Sequence, residues 1–465
     1  MRRLVFSLYE TGTAGAEAII YAYVVNTPIF LQTTQPSTDF LAGSIVLNNV
    51  KLENVPVAVG VANGAVVLEG GTKNITSWGQ GNVYKGDNPS GQFTQGNLPD
   101  SPKASSLLDS EGRILGRPQP QYETFLVSYF ISVKDYGAKG DGVTDDTKAL
   151  KKIFKKFAGC KITFFDAGHY IVTDTVFIPA GTRMKQRKPR VVFRVGKPGD
   201  VGIVEIRDIV FSTAGSAPGA VIVEWNVKEP TETQAGAGMW DSQIRTCGVS
   251  QIGEGRYEDC FAAFLNLHIT KQASAYLEAT WVWLADHDLD NDGVSQISVY
   301  SGRGILSESQ GPVWLIGTGS EHHVLYQYRL VGAKDHYMGL IQTESPYYQP
   351  TPPPPTPFFP NKSSKYSDPA TYDGTSAWAL SVQESKDIFI FGAGLYSFFQ
   401  TYVDCAIARA CQSQIANIDR ASSVYLFSLS TVGVTSRLAS TAKELWTRGI
   451  TLMGSRQRSL IGVSE

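Results

Sequence analysis

Between Gly302 and Pro350 the chain carries Glu308, Glu321 and Glu344, the histidines His322, His323 and His336, Trp314, and Tyr326, Tyr328, Tyr337, Tyr347 and Tyr348, all among short runs of β-forming residues. Carboxyls can give and take protons at a glycosidic oxygen, and flat rings offer a π surface to the C–H faces of a pyranose. These are the residue types of a hydrolase acting on a neutral sugar. Rival chemistries fit less well. Asp288, Asp290, Asp292 and Gly293 match the start of a calcium loop, yet Val299 stands where its bidentate Glu belongs. His322 and His323 are adjacent rather than spaced to share a face, and no further His or Cys falls at zinc spacing, so neither a metal nor another cofactor is expected. A serine hydrolase lacks its GxSxG.

The remainder of the chain must position that stretch. A length of 465 residues exceeds one ordinary globular core unless the fold grows along one axis. With Gly 45, Pro 23, aromatics at 11% and charged residues at only 18%, the composition suits many short strands joined by turns. A balance of 41 basic against 43 acidic residues argues against nucleic acid or an anionic membrane as partner. A neutral ligand fits better. No run approaches the ~18 apolar residues of a membrane span, and Glu10 and Thr11 arrive before any apolar core long enough for a signal peptide. Cys405 and Cys411, and Cys247 and Cys260, lie at separations a disulfide can close, buried free thiols being the alternative for the second pair. Asn74-Ile-Thr and Asn361-Lys-Ser are sequons.

From Ile19 to Leu68 the pieces IIYAYVV, SIVLNNVKLENVPVAVG and GAVVLEG alternate strand with Asn-rich turn at Asn48, Asn49 and Asn54. That is the pattern of a parallel β-helix, whose turns stack Asn side chains; an antiparallel sandwich is the alternative. Residues 86–130, rich in Gly, Pro and Ser, read as a linker. Asp135 to Thr147 brings Gly137, Gly140 and Gly142 for tight turns, and Asp145 or Asp146 can cap the helix that follows. That helix groups Ala149, Leu150, Ile153, Phe154 and Phe157 on one face, a lid for the first coil of a β-helix. Strand-like runs follow from Arg190 to the C-terminal region, broken by the stiff Pro350–Pro360 loop.

Asp135–Thr147, GMWD at Gly238–Asp241, TWVWLADHDLD at Thr280–Asp290, GRGILSESQGPVW at Gly302–Trp314 and SEHHVLYQY at Ser320–Tyr328 together resemble the exo-β-1,3-glucanases of glycoside hydrolase family 55, within the pectate-lyase-like β-helix superfamily. The resemblance implies an all-β, right-handed parallel β-helix and a secreted, monomeric enzyme. It also implies the reaction, removal of glucose with inversion from the non-reducing end of laminarin-type β-1,3-glucan. Family members pair two modules, each opening with its own Asp-x-Gly-Ala-x-Gly-Asp-Gly element. Only one such element is present, at Asp135, so residues 1–85 are expected to be the last coils of a truncated first module and residues 131–465 the second. A basic stretch, Arg183 to Pro189, stands where the family would continue through another coil.

By motif, Glu344 in QTESPYYQP matches the family's proton donor, and Tyr337, Tyr347 and Tyr348 are expected to shield it and raise its pKa. Glu321 in SEHH matches a second acidic residue, assigned to positioning substrate or water, with a structural pairing to His322 or His323 as the alternative. The family holds its attacking water largely with groups from the first module, so no base is named. Trp240, Asp241, Trp283, Trp314, Tyr347 and Tyr348 are the candidates for sugar contact, although the same rings suit a β-helix interior. Two other functions stand beside the hydrolase: a non-catalytic carbohydrate-binding remnant, and a pectate-type lyase, which the lack of a basic groove disfavours.

Overall fold

The computed structural model describes residues 7–8, 16–33, 36, 44–84, 92–179, 190–246, 261–287, 294–359, 366–372, 374–406, 408, 411–439 and 452–456. Strands dominate, and the one α-helix among the described residues is Thr147–Phe157. The chain folds as a parallel β-helix. From Leu265 on, each coil runs through one strand of a ten-stranded sheet and then through two arms of a second sheet. One full coil is Tyr300–Ser307, Val313–Ile316 and Gly319–Glu321; the next is His323–Val331 and the bent strand Lys334–Glu344.

Alternation along the strands explains why these runs stack. Val223, Leu267, Ile305, Tyr328, Leu380 and Ala416 stand in register in the ten-stranded sheet and point inward. Met239, Leu277, Leu315, Met338, Ile390 and Leu426 face them from the first arm of the other sheet. Such period-two runs bury one face and leave the other free for a site.

Between the two arms every coil bends at a residue with positive φ: Asp241 (46°), Ala279 (48°), Gly317 (58°), Leu340 (58°) and Gly392 (80°). The bend is stitched by bonds between coils, for example Asp241 N–H to the Glu278 carbonyl at 3.1 Å and Gly317 N–H to the Gly339 carbonyl at 2.8 Å. It sets the second arm at an angle, with its own outer face.

The helix lies where the sequence predicts. Leu150, Ile153 and Phe157 are buried and cluster with Val176, with Phe193 packed against them, so the lid closes the first coil. Asp145, not Asp146, supplies the cap bond, accepting from the Thr147 N–H at 3.0 Å, because the Asp146 carboxylate turns back to the N–H groups of Lys139 and Gly140. Near the N-terminus, Ala16–Ile20, Tyr23–Val25 and Ile29–Thr33 lie parallel on Ser44–Val61. The expected Asn stacking is present at Asn54, whose Nδ2 donates to Oδ1 of Asn26 in the neighbouring strand at 2.8 Å, both with positive φ; Asn48 and Asn49 do not stack, Asn49 Nδ2 donating to Asn48 Oδ1 at 3.0 Å and buried Asn48 donating to the Thr76 carbonyl. The long strand Val66–Tyr84 then returns antiparallel. Asn74 is exposed within it. Cys247, Cys260, Asn361 and the Asp288–Gly293 segment lie outside the described residues.

Candidate active site

The second arm carries the site. Arg245, Trp283, Glu321, Glu344 and Tyr396 occupy one register column across five coils. The residues between them, Ile244, Val282, Ser320, Thr343 and Leu395, are fully buried in the helix interior, so parity turns the column outward. Trp281 lies two residues before Trp283 on the same face, and their rings stack at 4.5 Å with an interplanar angle of 10°. Gly319 leaves room for this: a Cβ there would stand 3.0 Å from Trp281 Cδ1.

Glu321 is 6% exposed, and both its oxygens accept hydrogen bonds, Oε2 from Trp281 Nε1 at 2.8 Å and Oε1 from Gln342 Nε2 at 3.1 Å. Burial outweighs these donors and the nearby His322 charge, pushing its pKa up to about 7. Glu344 keeps a side chain 18% exposed. Its Oε2 accepts from Tyr347 Oη at 2.6 Å and faces His322 Nε2 at 3.3 Å, while Oε1 is 3.5 Å from Gln342 Nε2. Burial alone would raise this carboxyl, but the His322 bond and charge, with the Tyr347 hydroxyl, bring it below the usual carboxylate value. The sequence expectation of a raised Glu344 therefore does not hold. The tyrosine beside it donates a hydrogen bond to the charged form instead of only excluding water.

Tyr347 is itself fixed. Its ring packs on His322 at 4.3 Å and on Phe399 at 4.7 Å. Phe399 lies on the loop tied by the Cys405–Cys411 disulfide, whose Cα atoms are 5.2 Å apart.

Of the residues singled out by sequence, the structure brings Trp283, Glu321, Glu344 and Tyr347 together. Asp241 stands exposed at the bend before Gln243–Thr246. Trp240 and Trp314 lie on the outer face of the first arm, 1% and 0% exposed. Their indole N–H groups donate to the Arg117 and Leu107 carbonyls, both at 3.2 Å, so these rings serve as the dock for residues 98–117. Tyr348 is turned away into the cluster around Tyr300, Phe358 and Tyr366 on the outside of the ten-stranded sheet. Glu308 pairs with His268 at 2.8 Å. Sequence reasoning missed Trp281, Gln342 and Asp286. The signal for the first two was parity, since each shares its strand's outward face with an acidic or aromatic residue two positions on.

Residues 130–185 match the family model described as "Rhamnogalacturonase A/epimerase, pectate lyase-like". The chain is 39% identical over 476 residues to a "Glucan 1,3-beta-glucosidase" of Cochliobolus carbonum, covering 92% of this chain and 59% of that protein. It is 42% identical over 383 residues to a "Probable glucan endo-1,3-beta-glucosidase" of Arthroderma benhamiae, covering 75% of this chain and 43% of that one. The chain thus spans about half the length of these relatives. The solved structure of sacteLam55A from Streptomyces sp. SirexAA-E aligns over 88% of this chain and 62% of its own, with a TM-score of 0.30 and 12% identity, too loose to carry an argument. By sequence the chain is similar to proteins named glucan 1,3-beta-glucosidase, and its stacked parallel coils give it a β-helix architecture in keeping with the pectate-lyase-like family model that matches residues 130–185.

Proposed function

We propose that the protein is a secreted glycoside hydrolase that removes glucose from the non-reducing end of β-1,3-glucan with inversion, and that Glu344 is its general acid. The observation that carries this reading is the pairing of Glu321 with Glu344 in adjacent coils, on one outer face, beside the Trp281–Trp283 stack. The names of its sequence relatives supply the substrate class.

Access favours Glu344 of the two carboxyls. Both oxygens of Glu321 are engaged and the residue is nearly sealed, whereas Glu344 is the more exposed. Two donors converge on Glu344 Oε2, so the transferable proton belongs on Oε1, the oxygen toward exposed Gln342. When that proton passes to the leaving oxygen, Tyr347 and His322 stabilise the carboxylate left behind. Glu321 then holds Gln342 and Trp281 in place. One amide reaches both carboxyls, so they lie on the same side of any bound sugar, while inversion needs a base on the opposite face, about 6.5–9.5 Å from the acid. A base on that face must come from outside this column.

Product analysis tests the reading. With laminarin, glucose is expected as the early product and the α-anomer before mutarotation. Early oligosaccharides would contradict the exo mode, and a first-formed β-anomer would contradict inversion.

A further inference from the structure

A single residue, His322, joins strand Gly319–Glu321 to strand His323–Val331 at a φ of +68°, the same left-handed turn that the coils use at their other bends. The corner tucks its ring beneath Glu344, where the residue is 2% exposed. Nδ1 bonds Asp286 Oδ2, Nε2 faces Glu344 Oε2 at 3.3 Å, and the His322 backbone N–H donates to the Glu344 carbonyl at 2.9 Å. An ionised carboxylate has no hydrogen to give, so both ring contacts are hydrogen bonds only when both nitrogens are protonated. The geometry therefore calls for an imidazolium. Neighbouring His323 is built the other way: one ring nitrogen faces the Val282 carbonyl at 3.2 Å and the other faces the Asn266 amide at 3.3 Å, which suits a neutral ring.

We propose that His322 is a positioning residue for this hydrolysis, a buried cation braced by Asp286 that holds the Glu344 carboxyl against Tyr347 and sets the pH at which Glu344 carries its proton. This rests on the reading of Glu344 as the acid. The groups around the ring come from every neighbouring element: Asp286 after strand Trp281–Leu284, with His287 on the far side of that carboxyl, Glu321 in the preceding residue, Glu344 on the adjacent strand, Tyr347 on the loop and His323 behind. Burial pulls the ring's pKa down, but Asp286 and Glu344 together raise it to about 10, so the charge persists while carboxyls titrate. Without that cation Glu344 becomes a weaker acid.

His322→Gln keeps a polar side chain without the charge. On laminarin the alkaline limb of kcat is expected to move up by about one to three pH units, with maximal kcat about tenfold lower and KM little changed. Two NMR readouts are independent of turnover. Ring-nitrogen shifts of His322 in the unaltered protein are expected to show both nitrogens protonated at neutral pH, and the carboxyl-carbon titration of Glu344 is expected to move up in the variant. A neutral His322 ring, or a limb and a Glu344 titration that stay in place while kcat falls, overturns the proposal. Absence of glucose release by the unaltered protein, or full rate in Glu344→Gln, would instead sink the assignment of the acid, and the NMR arms would still decide the role of His322.

Discussion

Glu321 and Glu344 are neighbours in one column of the sheet, yet their surroundings push them in opposite directions, Glu321 up to about 7 and Glu344 below the usual carboxylate value. As the proposed acid, Glu344 must be protonated, so kcat is expected to be highest at acidic pH and to fall as pH rises through the Glu344 pKa. Glu321 stays neutral across that range, so Glu321→Gln, which mimics the neutral form, should leave the limb where it is. A limb displaced by a full unit would show that the two carboxyls titrate as one unit. Stability follows the opposite logic to that of a depressed acid. The folded pKa of Glu321 lies above its unfolded value, so its contribution is complete below about 4.5 and is lost as pH rises to about 7. Thermal unfolding of Glu321→Gln should accordingly gain on the unaltered protein between those pH values, by about 2–3 kcal/mol at most. The same melting curves in parallel at both ends of the range would contradict this. Glu344 and Glu321 were legible in the sequence because their motifs are distinctive. The sign of the Glu344 shift was not, since it depends on an Asp286–His322 contact between residues 36 apart.

At the level of strands, the two arms of one sheet do different work with the same residue type. Trp314 and Trp240 are buried under residues 98–117, whereas Trp281 and Trp283 stay partly exposed beside the carboxyls. Trp283→Ala should therefore raise KM for laminarin with a modest change in melting temperature, and Trp314→Ala should cost about 3–5 kcal/mol of stability with KM unchanged in the protein that remains folded. Kinetics and melting of the two variants check this, and a KM effect from Trp314→Ala would be the contrary result. Sequence could not separate the arms, because parity repeats identically in both and only the bend at Asp241, Ala279 and Gly317 tells which outer face is covered. Gly304 belongs to the same scale. A Cβ there would lie 2.3 Å from the Gln327 carbonyl and 2.7 Å from His323 Cδ2, directly under the corner that aims His322. Gly304→Ala is expected to cost about 3 kcal/mol, the upper end for overpacking, as read by chemical denaturation; a neutral substitution would mean that the corner relaxes freely.

Among the described residues, coils from Val176 on form one stack with a helical lid at one end and the site on its flank, while the N-terminal strands keep a core of their own and pack against the outer face of the first arm. The lid, the repeated strands and the Asn-stacked turns were visible in the sequence, since each depends on local pattern: the apolar face of Thr147–Phe157, period-two runs, and Asn at positive φ. How residues 98–117 and the N-terminal coils lie was not visible. Their contacts, such as Lys103 Nζ to Asn48 Oδ1 at 2.7 Å and Ser428 Oγ to the Glu17 carbonyl at 2.7 Å, join residues far apart in the chain and leave no periodic trace. The most direct measurement of the account is the rate of glucose release from laminarin by the unaltered protein and by Glu344→Gln at acidic pH. Loss of the general acid should lower kcat by about 10²–10⁴-fold with the fold intact, whereas a variant that keeps its full rate would contradict the assignment of Glu344.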